Sequence, residues 1–313
     1  MRPYSYIELV VVSLFFILVI SACGGTTPAA SAVTPPTEVP TLTETPEPTT
    51  DPTLEPTIDP EFARPDFSLA KFDNPTNIDN KYFPMVPGTQ SVFEGITEEG
   101  GREIPHTIVF TVTDLTKEIA GIRTVVAWIL DYSDGELVEA EVAFYAQDNE
   151  GNVWFMGEHP EVYENGKMVE APTWIPGLKG AEAGITMMAK PELNRPSYAQ
   201  GWGPAVNWTD RGLVVGLSEE TCVPVDCYED VLITEEFSQS EPDAFQVKYY
   251  APGIGNVRVG WRGEDATREE LELVKHVLLD PDELAEIRLA ALAMEAHAYE
   301  ISKEVYDQTA PME

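Results

Sequence analysis

Ile104-Pro105-His106-Thr107-Ile108-Val109-Phe110-Thr111-Val112-Thr113 is the stretch on which the fold turns. In an extended chain Ile104, His106, Ile108, Phe110 and Val112 share one side, while Thr107, Thr111 and Thr113 take the other, with Val109 among them. A period of two with one apolar side marks an antiparallel strand buried on one face. His106 falls on the apolar side, where a hydrogen-bonded core histidine is the expectation. The same rhythm continues outward. Residues 122–130 form a second, more apolar strand, and Ser133-Asp134-Gly135-Glu136 reads as a hairpin turn. Val138, Ala140, Val142 and Phe144 then alternate against Glu139 and Glu141. Asp148-Asn149-Glu150-Gly151 turns into Val153-Trp154-Phe155, and Tyr163-Glu164-Asn165-Gly166-Lys167 holds another turn. Further strands are expected at 213–217, 228–237, 245–250, 257–261 and 271–279. The fold class is therefore mainly β: an antiparallel meander forming a curved sheet or incomplete barrel, with a concave apolar face that must be covered.

The C-terminal stretch has a different period. Asp280-Pro281-Asp282-Glu283 combines an Asp N-cap, Pro at the first helical position and Glu three residues after the cap. Leu284, Ile287, Ala291, Met294, Ala298, Ile301 and Val305 recur at steps of three and four. Leu289, Leu292, Ala296 and Tyr299 add a second stripe. A long helix is expected over 280–308, packed on its own sheet or offering a stripe to a protein partner or a second copy. His297 lies within it.

Two stretches interrupt the β pattern. Residues 72–88 are dense in Asn, Asp, Pro and aromatics, the chemistry of side-chain-capped turns. Residues 171–204 are rich in proline and glycine, and such connections often serve as binding loops or lids. Trp174, Met187, Met188 and Trp202, with Trp208 just beyond, are the candidate ligand-binding residues.

Met1 and Arg2 precede an apolar run, Leu9 to Ile20, too short for the about 20 residues a spanning helix needs. Ile20-Ser21-Ala22-Cys23 resembles the bacterial lipobox, in which the Cys thiol is diacylated and becomes the first residue of the mature chain. The domain plan is thus a signal peptide at 1–22, lipidated Cys23 and a Thr/Pro-rich tether at 23–60, a β domain at 61–279 and a helix at 280–308. The tether cannot bury a core. In extended polyproline form it could reach on the order of 100 Å. The expected location is the outer face of the bacterial cell membrane. There Cys222 and Cys227, the remaining cysteines, are expected to form a structural disulfide. A net charge of −35, from 54 acidic and 19 basic residues, argues against nucleic acid and anionic lipid headgroups as partners.

No catalytic, nucleotide or metal motif stands out, and the four histidines, His106, His159, His276 and His297, show no ligand spacing. No cofactor and no metal is implied. One resemblance does emerge. Ile78-Asp79-Asn80-Lys81-Tyr82-Phe83-Pro84 with Pro87-Gly88, Tyr145-Ala146-Gln147-Asp148 with Gly151-Asn152-Val153-Trp154-Phe155, and Lys248-Tyr249-Tyr250-Ala251-Pro252-Gly253-Ile254-Gly255 resemble, in this order, a group of exported bacterial proteins. Tyr163 to Lys167, Ala183 to Met187 and Asp230-Val231-Leu232 extend the match. Many members of the group are lipid-anchored, and the group carries no named activity. The expectation for function is a non-catalytic module binding a small apolar or carbohydrate ligand or a protein partner. The alternatives are an assembly lipoprotein acting through its C-terminal helix and an envelope hydrolase.

Overall fold

The computed structural model describes residues 63–313; the signal peptide, Cys23 and the tether read from the sequence lie outside them. The described residues contain β1 (Thr89–Glu99), β2 (Arg102–Ile119), β3 (Ile122–Ser133), β4 (Glu136–Gln147), β5 (Val153–Glu164), β6 (Lys167–Glu170), β7 (Glu182–Met187), β8 (Tyr198–Ala199), β9 (Gly201–Trp202), β10 (Asp210–Cys222), β11 (Cys227–Ser238), β12 (Ala244–Ala251), β13 (Gly255–Gly263) and β14 (Glu270–Leu278). Helices α1 (Pro281–Ile301) and α2 (Lys303–Tyr306) follow.

Strand order runs β8, β10 to β14, β1 to β5, β7, β9, with β6 on β5, and the pairings are antiparallel. The two ends of this order, β8 and β9, are separated in the chain only by Gln200. Residues 198–202 therefore join both margins of the sheet into a nearly closed barrel. The joint needs close backbone approach. A Cβ on Gly184 would lie 2.3 Å from the Gln200 carbonyl carbon, and one on Gly201 would lie 2.7 Å from the rings of Trp174 and Trp208. Residues 171–204, expected as an irregular connection, are not one. Their prolines and glycines disguise three short strands, and the segment is part of the wall.

The barrel has two apolar layers. Val112, Val125, Ala127, Ala143, Tyr145, Val153, Phe155, Val214, Leu232 and Tyr250 face inward. Leu115, Ile119, Val126, Trp128, Val142, Phe144, Trp154 and Met156 face outward, beneath Ala291, Met294, Val305 and Met312. The sense of alternation differs between neighbouring strands. In β2 the apolar set His106, Ile108, Phe110 and Val112 faces inward, as read from the sequence. In β4 the apolar set Ala140, Val142 and Phe144 faces outward under α1, which turns Glu139 and Glu141 into the barrel. The register Ile129↔Glu141 and Asp131↔Glu139 places them opposite inward residues of β3.

The outer layer is pinned by ionic contacts. Lys117, fully buried, donates to Glu295 Oε1 at 2.6 Å and to the Ala310 carbonyl at 2.6 Å. Its ammonium lies 4.8 Å from the Tyr306 ring centroid. Arg288 Nε donates to Asp114 at 2.9 Å, and His297 Nδ1 lies 2.7 Å from Glu161. The expected capping box is present: Asp280 accepts from Asp282 N and Glu283 N, and Glu283 accepts from Asp280 N. Ala291, Met294, Ala298 and Val305 of the first helical stripe are buried, while Ile301 and Leu289 remain exposed.

Residues 72–88 plug one end of the barrel. Ile78, Tyr82 and Met85 are buried in the inner layer, with Phe83 beside them. Asn80 fixes the plug. Its Oδ1 accepts from Tyr82 N and Phe83 N, its Nδ2 donates to the Gly151 and Met188 carbonyls, and its own N–H donates to Gln147 Oε1. Gly253 N donates to the Lys81 carbonyl. Asp148 organises the adjoining turn, accepting from Glu150 N, Asn152 N and the Trp154 indole. The three motifs that carry the sequence resemblance thus meet at this plug.

Candidate functional site

Beyond the plug the barrel interior holds a cavity of about 380 Å³. Its apolar walls come from Phe83, Phe93, Ile108, Phe110, Ile129, Phe155, Trp208, Val259 and Leu271. Its polar lining comes from Asp131, Glu141, Glu158, Asp210, Glu236, Gln246, Lys248, Glu269 and His276, with the Tyr145 and Tyr250 side chains among them. Each group arrives through the period-two geometry of its strand. On β12, Gln246, Lys248 and Tyr250 share the inward face; on β11, Thr234 and Glu236 do.

Glu158 is the exception to the simple period. Phe155 faces inward, so an unbroken strand would turn Glu158 outward. Gly157 adopts φ +95° and inserts a bulge, which shifts the β4–β5 register between Ala143 and Tyr145 and returns Glu158 to the interior opposite Ala143. A Cβ at Gly157 would lie 2.4 Å from the Trp174 carbonyl oxygen. Trp174 secures the result: Glu158 and Trp174 exchange backbone bonds, and the indole donates to Glu158 Oε1 at 3.0 Å.

Glu141 is the neighbouring carboxyl that acts on Glu158 most strongly. Burial first, then the charges of Glu141 and Glu139, push the Glu158 carboxyl well above the usual range. Glu141 is raised chiefly by burial, and Glu139 by burial and by its neighbours Glu141 and Asp131. Neighbouring carboxyls withdrawn from water in this way hold a proton more readily than two separate surface glutamates.

Across the cavity Lys248 lies 2.6 Å from Glu236 Oε2, and Tyr250 donates to Glu236 Oε1 at 3.0 Å. Burial drives Asp210 up to about 6, helped by the charge of Glu236. Further along, His106 Nε2 lies 3.2 Å from Asp131 and 3.1 Å from Glu269. Neither contact is an aligned hydrogen bond, so the attraction is mainly ionic. Burial pulls the imidazole down, but the two carboxylates outweigh it and raise it to about 10. His276 Nδ1 lies 3.0 Å from Ser91 Oγ. Among the described residues no three His, Cys, Asp or Glu side chains are grouped to hold a metal ion.

The wall is thinnest between β13 and β14, which share two register pairs, Arg258↔Glu272 and Val259↔Leu271. Past them the strands part, and Asn256 on one side and His276 on the other both line the cavity. Val223, at the end of the β10–β11 hairpin, packs with Val257 and Leu273 beside this gap. Cys222 and Cys227 are joined across that hairpin by a disulfide, as expected.

The residues singled out from the sequence separate. Trp208 lines the cavity. Trp174 is 2% exposed and stands behind the lining, bonded to Glu158 and packed on Phe155 and Trp208. Met187 is buried in the inner layer, and the Met188 carbonyl holds Asn80. Trp202 lies outside the lining, under the Arg64 guanidinium at 4.7 Å. Glu141, Glu158, Glu236 and Lys248 were not singled out. The signal for Glu158 was an isolated glycine, Gly157, within a strand; for Glu141 there was none on its own strand.

No family model and no curated protein sequence matches the chain. Two solved structures resemble it. One is a Bacteroides fragilis protein, provisionally described as exported and as having a YmcC-like fold: 14% identity, TM-score 0.38, covering 63% of this chain and 99% of that one. The other is a Parabacteroides distasonis protein, provisionally described as a lipoprotein: 12% identity, TM-score 0.34, covering 63% of this chain and 99% of that one.

Proposed function

We propose that the domain is a non-catalytic binding module that takes a small molecule into the barrel, and that it works outside the cytoplasm, tethered to the membrane through acylated Cys23. The observation that carries the reading is the cavity of about 380 Å³, with aromatic and aliphatic walls and many convergent polar groups. Its volume is that of a small-ligand site, and its lining is more acidic than most. A protein whose interior served only stability would fill such a volume, because voids cost packing energy. The disulfide Cys222–Cys227 suits an oxidising compartment.

The test is native mass spectrometry of the full-length protein purified from its own host, beside an Ile129→Trp variant that fills the cavity. A retained small molecule, present in the parent and absent from the variant, is the expected result. A parent free of adducts that also binds no apolar fluorophore would overturn the reading.

A second reading, an envelope hydrolase, has one observation in its favour. Glu141 and Glu158 are neighbouring carboxyls raised by burial inside an aromatic cavity, an arrangement that suits general acid chemistry. Turnover of chromogenic glycosides or esters that disappears in Glu158→Gln would favour it.

A further inference from the structure

The charges around the cavity do not balance. The cation that lines it, Lys248, is already engaged with Glu236, and His106, outside the lining, is held by Asp131 and Glu269. Among the described residues neither Glu141 nor Glu158 forms an ion pair, and Glu158, 8% exposed, accepts a bond from the neutral Trp174 indole. Carboxyls buried without a counter-ion are costly to ionise, and a protein that needed only stability would pair or remove them. They are retained here beside aromatic faces. Tyr145 and Phe155 stack at 5.0 Å with 18° between planes, and Trp208 lies 5.3 Å from Phe155. Carboxylates next to aromatic faces form the environment that recognises an organic cation: charge-assisted hydrogen bonds on one side, the negative faces of the rings on the other.

We propose that the cavity takes an organic cation, a protonated amine or quaternary nitrogen on a compact apolar body, with the nitrogen against Glu141 and Glu158 and the body against Tyr145, Phe155 and Trp208. The proposal rests on the reading of the cavity as a ligand site and adds the sign of the ligand's charge. Anionic ligands are excluded by the same carboxylates. Neutral ligands of the same shape gain the ring contacts but leave the carboxyl pair unanswered. The bound cation favours the ionised form of the carboxyls and their proton is released to solvent, so part of the binding free energy is spent on that ionisation, and affinity should rise with pH until the amine itself deprotonates.

The experiment compares two isosteric sets by calorimetry on the full-length protein. The sets are 2-phenylethylamine, 2-phenylethanol and phenylacetate, and 1-adamantylamine, 1-adamantanol and 1-adamantanecarboxylate. The amine of at least one set should bind at least tenfold tighter than its alcohol, with the carboxylate weakest. The isosteric pair Glu141→Gln with Glu158→Gln, checked for an unchanged circular dichroism spectrum, should remove that preference, bringing the amine and its alcohol within twofold of each other. An alcohol that binds as tightly as its amine would overturn the cation proposal and leave the cavity reading standing. A preference that survives the double substitution would remove these two glutamates from it. If none of the six compounds binds, and Ile129→Trp changes nothing, both readings fall.

Discussion

The two faces of β4 make an instructive contrast. The outer face, Ala140, Val142 and Phe144, is dry and packed beneath α1. The inner face passes from Tyr145 and Ala143 to Glu141 and Glu139, and it borders a cavity. Both faces meet acids withdrawn at least in part from water, but they are handled oppositely. Under the helix, Glu295 meets Lys117 and accepts from Met312 N with both oxygens. Inside the barrel, Glu141 meets another carboxyl. The outer acid is fully answered by the protein, as a structural group should be. The inner acids are answered in part, which is the condition of a site that waits for something. Burial alone is thus a poor guide to role; the partner is what separates the two.

If this contrast is right, the largest loss of stability should come from the outer face. Glu295→Ala would leave the Lys117 ammonium buried without its carboxylate, which costs about 3–5 kcal/mol. Urea denaturation would measure it, and a change below about 1 kcal/mol would show the pair is not buried as described. Gly157→Ala comes next. Its Cβ would press on the Trp174 carbonyl, and its φ is unfavourable for alanine. A loss of about 1–3 kcal/mol is expected from the strained backbone alone, together with a weakened cavity, because the bulge that turns Glu158 inward would be disturbed. Replacing Cys222 and Cys227 together by Ser should cost about 2 kcal/mol, since the disulfide closes only a short loop. The melting temperature should fall by several degrees without loss of the sheet signal.

The smallest change should come from the inner face, and its sign should be opposite at high pH. Glutamates whose folded-state pKa is raised favour folding only while protonated. Their contribution is present below the unfolded value and is lost as pH rises through the folded value. The groups facing Glu141 are Glu139 on its own strand, Asp131 on β3, Glu158 on β5, and Lys248 and Glu236 across the cavity. His106, also raised, loses its contribution in the same direction as pH climbs toward 10. The melting temperature of the parent should therefore fall from pH 6 to pH 9. Glu141→Gln, which cannot ionise, should flatten that decline while leaving pH 6 nearly unchanged.

Much of the fold could be read in the residues themselves. The stripe of β2, the turn at Ser133 to Glu136, the capping box at Asp280 and the Cys222–Cys227 bond all follow from local chemistry that tertiary structure does not override. The inward face of β4 does not. A strand with apolar residues on one side and acids on the other is ordinarily read as apolar-in, polar-out. Here a helix encoded more than a hundred residues later covers the apolar side, so the reading reverses. Nothing in residues 136–147 announces that. The site was less legible than the fold for a related reason. Trp208 was found because aromatics mark cavities, but Glu158 depends on a bulge, and Lys248 and Glu236 on which of two faces closes upon itself. The short strands in 182–202 escaped because the glycines that let β7 and β9 approach look like loop residues.

The inward position of the β4 acids can be tested most directly by following glutamate side-chain carboxyl carbons through a pH titration by NMR, with Glu139→Gln, Glu141→Gln and Glu158→Gln to assign them. Three resonances that titrate well above the ordinary glutamate value of about 4.3, each missing in its own variant, are expected. If those three carboxyls titrate with the bulk of the surface glutamates, they face open water, and the account of an unanswered acidic interior is wrong.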